Sequence, residues 1–349
     1  MPSSNLRTAV IIVNWNGWRD TIECLSSVLG SDMAVRADIW IVDNDSSDDS
    51  VEHIENWCRS PVRQDQWHTF STVKHLHAAA PVAFRTLIFT GHKASTAPPE
   101  VLIHIVRAGG NLGFAGGNNV GVVSAGLDSY SHFWLLNNDT VIAQDALRCL
   151  LETATTRSGL GIVGSTLRYY REPGRIQAFG GAKLDLETLR SEHLGEGCLV
   201  DEVPVDGGAK HLDVESSMSY VVGASMLVSS DFIRSVGPMC EDYFLYFEEL
   251  DWAFRSAQDF KMGYAPESHV FHKAGASTMQ VQSEFSLNLL LRNRIRFVAR
   301  FLPELLPRLR WALYWELVRH VLKMRWVQAK LTVRALRNFE HLTISLGPR

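Results

Sequence analysis

The chain is poor in cysteine, has no long apolar run and carries little net charge, and each shortage removes a class of protein. Its five cysteines, Cys24, Cys58, Cys149, Cys198 and Cys240, are scattered and odd in number. The absence of any Cys-x-x-Cys pair argues against a zinc ribbon, a dithiol redox centre or a disulfide scaffold, and points to a reducing, cytoplasmic compartment. No segment approaches the ~20 consecutive apolar residues needed to cross a bilayer. The apolar run Ala9 to Val13 is too short for the core of a signal peptide and leads straight into NWNGW. A soluble protein, or one held at a membrane surface, is expected. A formal net charge of −4 over 349 residues gives no whole-chain reason to expect nucleic acid. Internal repeats and low-complexity tracts are also missing.

What remains is a globular composition, 46% hydrophobic and 21% charged, in a chain long enough for a substantial core. From residue 8 short β-branched runs alternate with amphipathic ones. TAVIIV (8–13) reads as a buried strand, and 18–29 comes next with Ile22, Leu25, Val28 and Leu29 at helical spacing. ADIWIVDN (37–44) is the next strand, and SSDDSVEHIENW opens a helix with residues suited to its N-terminal cap. VLIHIV (101–106) and HFWLL (132–136) complete a β-α-β series. That order predicts an α/β fold, a mostly parallel sheet flanked by helices on both faces.

In open sheets of this kind ligands bind beyond the carboxyl ends of the strands. The residues there are Asn14-Trp15-Asn16, Asp43-Asn44-Asp45, Gly109-Gly110-Asn111 and Asn137-Asn138-Asp139. Each cluster alone serves equally well as a cap for the next helix or turn; four in succession favour a shared ligand. Residues 59–100 hold Pro61, Pro81, Pro98, Pro99 and one strand-like piece, TLIFT, and read as an irregular insertion. Further on, GIVGSTLRYY, IQAFGGAKLDL and 220–230 read as strands, 189–212 as a loop, 242–258 as a strand turning into a helix, and 265–278 as a strand bearing two histidines.

Seven motifs in order, NWNGW, IVDNDSSDDS, GGNLGFAGGNN, LLNNDT, VVGASMLV, FEELDWAFR and SHVFHKAGAS, resemble those of an inverting family 2 glycosyltransferase with a GT-A (Rossmann-like) fold, of the rhamnosyltransferase-like branch. The resemblance covers roughly residues 8–278, apart from the insertion. It implies a nucleotide-sugar site at Val13, Asn14, Asn16 and Asp43, with Asp43 accepting a hydrogen bond from the base. Asn111, Gly113, Gly117 and Asn118 fall in GGNLGFAGGNN, which lacks the G-x-G-x-x-G spacing of a dinucleotide fingerprint. Its glycines instead permit a tight turn and close approach, with a helix from about Ala115 aiming its N–H groups at the nucleotide.

In that family the strand-end acids, usually D-x-D, bind a divalent metal that bridges the donor diphosphate. Here Asn137 and Asn138, which the resemblance counts in the nucleotide-sugar site, leave one carboxylate, Asp139. The resemblance adds His272 as a second ligand, with His269 the weaker candidate, and implies Mg2+ or Mn2+. The general base falls in YFEELDWAFR: Glu249 matches the family's base position, Asp251 is the alternative, and Glu248 is left to structural or acceptor contacts. A plain acidic first helical turn is the competing interpretation.

The domain division expected is 1–283 for the transferase and 284–349 for a basic amphipathic helical region, where twelve Lys and Arg face four acids between 284 and 344. Such helices dock on the domain, pair two copies or lie on an anionic membrane. The activity implied is transfer of a sugar, rhamnose included, from a dTDP- or UDP-sugar to a glycan or lipid-linked acceptor of surface polysaccharide synthesis, in the cytoplasm or on the cytoplasmic face of the inner membrane. The rivals are a sugar-phosphate nucleotidyltransferase, whose G-x-G-x-R-L-type loop NWNGW does not supply, and a glycan-binding protein that has lost catalysis.

Overall fold

The computed structural model describes residues 7–32, 37–60, 81–95, 102–200, 209–273 and 284–344. The parts of the 59–100 insertion at 61–80 and 96–100, and the end of the SHVFHKAGAS motif, lie outside the described residues. The N-terminal half runs β1 (Thr8–Asn14), α1 (Trp18–Leu29), β2 (Ala37–Asp43), α2 (Ser50–Arg59), β3 (Phe84–Ile88), β4 (Ile103–Arg107), α3 (Gly113–Ala125), β5 (His132–Asn137), β6 (Thr140–Ile142) and α4 (Ala146–Thr156). The apolar runs become strands because helices cover both faces of them. Val10 and Ile12 meet Ile22 and Leu25 of α1 and Ile54 of α2 on one side. Ala9 and Ile11, pointing the other way, meet Ala115 and Val120 of α3.

The second half adds β7 (Leu160–Tyr169), β8 (Ile176–Phe179), β9 (Gly181–Asp185), β10 (Arg190–His193), α5 (Ala209–Ser217), β11 (Tyr220–Val221), β12 (Ser225–Ser229), α6 (Ser230–Val236), α7 (Glu248–Ser256) and β13 (Lys261–His272). Ten strands form one sheet in the order β3-β4-β2-β1-β5-β12-β7-β13-β6, with β8 paired to β7, while β10-β9-β11 form a small second sheet. Strands β3, β4, β2, β1 and β5 are all parallel; β12 then runs antiparallel between β5 and β7. The chain starts at β1, builds outward through β2, and later returns to β5 on the other side of β1. The carboxyl end of β1 is therefore the topological switch point, the crevice where such sheets bind ligands.

Four expectations for local structure are corrected. The stretch 220–230 is two strands broken at 222–224, and 189–212 contains β10 and the start of α5. The cap of α2 is Asp49, whose φ of 57° lies in the left-handed region and whose side chain makes no capping bond. Residues 242–247 are not a strand: a 3-10 turn over Glu241–Tyr243 leads into Phe244, Tyr246 and Phe247 with φ of 66°, 70° and 78°. Aromatic side chains hold such angles only when the surroundings fix them. What fixes them comes from the C-terminal helices α8 (Glu284–Phe301), α9 (Leu306–Leu322), α10 (Trp326–Arg337) and α11 (Phe339–Ile344). The Asn293 amide of α8, fully buried, donates to the carbonyls of Tyr243, Leu245 and Tyr246 at 2.9, 2.8 and 3.0 Å. These helices share a core with Tyr243 and Leu250 through Ile295, Phe297, Leu309 and Leu313.

Candidate active site

At the switch point a polar network ties three strand ends together. Asn14, wholly buried, donates to Asp43 Oδ1 at 3.1 Å and Ser46 Oγ at 3.0 Å and accepts from Thr21 Oγ1 at 2.7 Å. Its amide is thus occupied within the protein and fixes Asp43, which also accepts from the Ser46 N–H at 3.3 Å. Asn138 joins the same network, donating to Thr21 Oγ1 at 3.1 Å. Asn16 has φ of 52° and accepts from the Ser47 N–H at 2.7 Å, bracing the two loops against each other. Around this network Trp15, Asn16, Asp45 and Asn111 are exposed, so an open polar rim with one bare indole borders the end of β1. Thr21 and Ser46 were not singled out from the sequence, and Asn44 entered only within its strand-end cluster, because what they do is hold other groups of the protein.

Asn44 clamps the glycine-rich turn. Its Oδ1 accepts from the Leu112 N–H at 3.1 Å, and its Nδ2 donates to the Gly113 carbonyl at 3.0 Å and Asn111 Oδ1 at 3.2 Å. Helix α3 begins at Gly113, two residues before the expected start. Gly113 has φ of 70°, and a Cβ there would meet the Phe244 carbonyl oxygen at 2.2 Å. A Cβ on Gly117 would meet Val13 Cγ1 at 2.7 Å. Both glycines therefore allow close packing of α3 against protein, which sets the position of the helix start. Asn118, also buried, donates back to the Phe114 carbonyl at 3.0 Å.

The Asn137-Asn138-Asp139 turn at the end of β5 meets the last residues of β13. His272 Nε2 lies 3.2 Å from Asp139 Oδ1, and His272 Nδ1 lies 2.9 Å from Gln177 Oε1. With Nδ1 donating to Gln177, Nε2 is available to share a cation with Asp139. An oxygen and a nitrogen donor so placed fit a divalent ion that takes its remaining ligands from phosphate and water. No group of three or more His, Cys, Asp or Glu suited to a metal occurs among the described residues. Two protein donors is thus what this turn offers. His269, half-buried on the opposite pleat of the strand from His272, is kept neutral by burial, which lowers its pKa to about 4.

Glu249 stands over Gly223, close enough that a Cβ there would meet Glu249 Oε1 at 2.3 Å. Burial raises its carboxyl pKa to about 7, against the lowering effect of backbone N–H groups of Glu249 and Gly223. Glu248 is buried, its Oε2 has no hydrogen-bond partner, and burial beside Glu249 pushes it well above the usual carboxylate range. Asp251 is different: completely buried, it accepts from Arg255 Nε at 2.7 Å, Arg300 Nη1 at 2.9 Å and Tyr243 OH at 3.1 Å. Three donors tie this fully buried carboxylate, the alternative base, into the junction between α7 and α8. Glu249, Asn137, Gln177 and His272 instead line one cavity of about 620 Å³. Its other walls come from β10 and from α8, α9 and α10, which the sequence could not connect to the site.

No protein-family model matches the chain. The low-salt glycan biosynthesis hexosyltransferase Agl10 of Haloferax volcanii is 22% identical over 210 residues, 55% of this chain and 59% of that protein. The chain thus spans about three-fifths of the length of that curated relative. Among solved structures, the mannosyltransferase PcManGT from Pyrobaculum calidifontis in complex with GDP-Man and Mn2+ aligns with a TM-score of 0.51 at 12% identity, covering 100% of this chain and 78% of that one. This likeness shows a shared fold, the α/β sheet flanked by helices expected from the motifs.

Proposed function

We propose that the chain is an inverting glycosyltransferase that moves a sugar from a dTDP- or UDP-sugar, rhamnose among them, to a glycan or lipid-linked acceptor in surface polysaccharide synthesis. The observation that carries this reading is the shared cavity in which Glu249 and His272 face the same space, beside a switch point built of polar strand ends. The relative's hexosyltransferase description and the fold shared with a mannosyltransferase support it.

The nucleotide rests against the rim at Val13, Asn16, Asp43 and Asn111, with Asn14 holding Asp43 in place. Asp139 and His272 are the residues to hold Mg2+ or Mn2+, which when bound offsets the charge of the departing diphosphate. Glu249 takes the proton of the acceptor hydroxyl as its oxygen attacks the anomeric carbon. The bond to the nucleoside diphosphate breaks on the opposite face in the same displacement, which inverts the centre. A carboxylate with a pKa of about 7 suits this task, since it is substantially ionised at neutral pH yet more basic than an exposed glutamate.

For location we propose attachment to the cytoplasmic face of the inner membrane. No helix among the described residues is long and apolar enough to cross a bilayer. Helix α9 buries Leu309, Leu313 and Glu316 but leaves Trp311, Trp315, Val318 and Leu322 exposed on one stripe, Trp311 at 68% and Leu322 at 78%. Exposed Arg308, Arg319, Lys323 and Arg325 flank it, a charge suited to anionic lipid.

The function is tested by incubating the purified chain with a panel of dTDP-, UDP- and GDP-sugars and Mn2+, measuring release of nucleoside diphosphate. Release from at least one donor, lost in Glu249→Gln when an acceptor is supplied, is expected. Release from none of them would overturn the reading.

A further inference from the structure

The cavity wall furnished by β10, α8 and α9 carries two arginines and a histidine that nothing in the proposed displacement uses. Arg190, Arg294 and His320 line the cavity there together with one acid, Glu316. Glu316 Oε1 accepts from Arg190 Nη2 at 2.6 Å and from Arg294 Nη1 at 3.0 Å, and Arg294 Nη2 donates to the Thr188 carbonyl at 2.6 Å. Two guanidinium groups thus share one carboxylate, leaving a net positive charge in a partly desolvated space. Arg294 is 7% exposed, and its Nε–H, like Nδ1 of His320, is buried with no hydrogen-bond partner. A guanidinium N–H without a partner leaves the charge of that arginine incompletely compensated within the protein.

We infer that Arg190, Arg294 and His320 form an anion subsite for a phosphate group carried by the acceptor. The inference rests on reading this cavity as the acceptor side of a glycosyltransferase. Phosphate suits the site because it offers several acceptor oxygens and more charge than a carboxylate to the free donors of two arginines. Beside the subsite, Leu287, Leu290, Leu291 and Leu331 give the cavity an apolar wall. Residues 321–327, every one exposed, join His320 on α9 to Gln328 on α10, and both of those line the cavity. An acceptor with a phosphate and an aliphatic chain would therefore place the phosphate on the arginines and leave by the apolar wall toward that exposed turn.

The test is calorimetric titration of the full chain, in chelator so that the metal side takes no part, with octyl phosphate, inorganic phosphate and the neutral octyl glucoside. Octyl phosphate is expected to bind about tenfold or more tightly than octyl glucoside, the scale of one charge-assisted hydrogen bond. Arg190→Gln and His320→Ala should each weaken it by about tenfold, with thermal melting used to show that both variants remain folded. Arg190 is the safer of the arginines to change, since its side chain is 54% exposed whereas that of Arg294 is 8% exposed. Inorganic phosphate binding as tightly as octyl phosphate would assign the subsite to a free phosphate; much weaker binding would assign it to a lipid-like headgroup. Binding of neither phosphate, or binding unchanged in both folded variants, would overturn the subsite. Nucleotide-sugar hydrolysis measured on separate chelator-free portions of the same preparations with Mn2+ added reports the donor side, so absence of that activity with phosphate binding intact would remove the transferase reading and not the subsite.

Discussion

Replacing Glu249 by glutamine should make the protein more stable and nearly inactive at once. Burial raises this carboxyl from its ordinary 4.5 to about 7, so holding it ionised costs the fold free energy. At about 1.36 kcal/mol for each pH unit the difference comes to about 3 kcal/mol once the group is fully ionised. Below pH 4.5 the carboxyl is protonated both folded and unfolded, and glutamine confers no advantage. Between pH 4.5 and about 7 the unfolded chain releases its proton first, so the parent progressively loses stability relative to the variant. Above pH 7 the difference is constant. Glutamine keeps the acceptor oxygen that meets the Gly223 amide, so about 2–3 kcal/mol of relief is expected, or roughly 5 °C in melting temperature for a chain of this size. Turnover should fall by roughly 10² or more, since the base is gone. The parent's kcat/KM should rise about tenfold per pH unit below pH 7 and level off above it, provided that Glu249 is the controlling group. Differential scanning fluorimetry from pH 4.5 to 8.5, paired with product release, reads both effects. A stability gain of the same size at every pH, a loss above pH 7, or parental turnover in the variant would refute the assignment of Glu249.

The remaining predictions concern the metal turn, the buried anchor and the surface. Asp139→Ala should lose most donor use and the response to added Mn2+, while His272→Ala should raise the Mn2+ concentration needed for half-maximal activity; identical Mn2+ titrations in parent and H272A would remove His272 from the site. Asp251→Asn takes the negative charge away from Arg255 and Arg300, and removing one partner of a buried pair costs about 3–5 kcal/mol. A clear drop in melting temperature is expected, and an unchanged melt would show that this network does not hold α7 to α8. Leu322→Asp combined with Trp326→Asp should abolish cosedimentation with anionic vesicles at low salt without altering the melt, since both side chains are exposed, and persistent binding would place the membrane contact elsewhere.

Much of the first half was legible because its signals are local. A continuous apolar run such as TAVIIV, succeeded by a helical period and then ADIWIVD, dictates parallel strands with helices on both faces, and parallel strands deliver their polar ends to one rim. That is why β1, β2, β4 and β5 fall within a residue or two of the stretches expected, and why the Asn14, Asp43 and Asn137 clusters share an edge. The pairing of His272 with Asp139 was implied by the motif resemblance, and the structure supplies their 3.2 Å separation and the Gln177 contact.

What the sequence left open depended on partners far away in the chain. The DYFLYF stretch has strand composition, yet it is held in left-handed turns because Asn293, nearly 50 residues later, binds its carbonyls. Asp251 and Glu249 are two acids in one helical turn and look alike as letters; only the arrival of Arg300 on one of them, and of Gly223 beneath the other, separates an anchor from a candidate base. The basic C-terminal helices read as able to dock, to pair or to lie on a membrane; their inner faces close the cavity and leave one aromatic stripe outside. Composition specifies that such a helix has two faces. Which face is buried is decided by what packs against it, and that is a property of the folded chain.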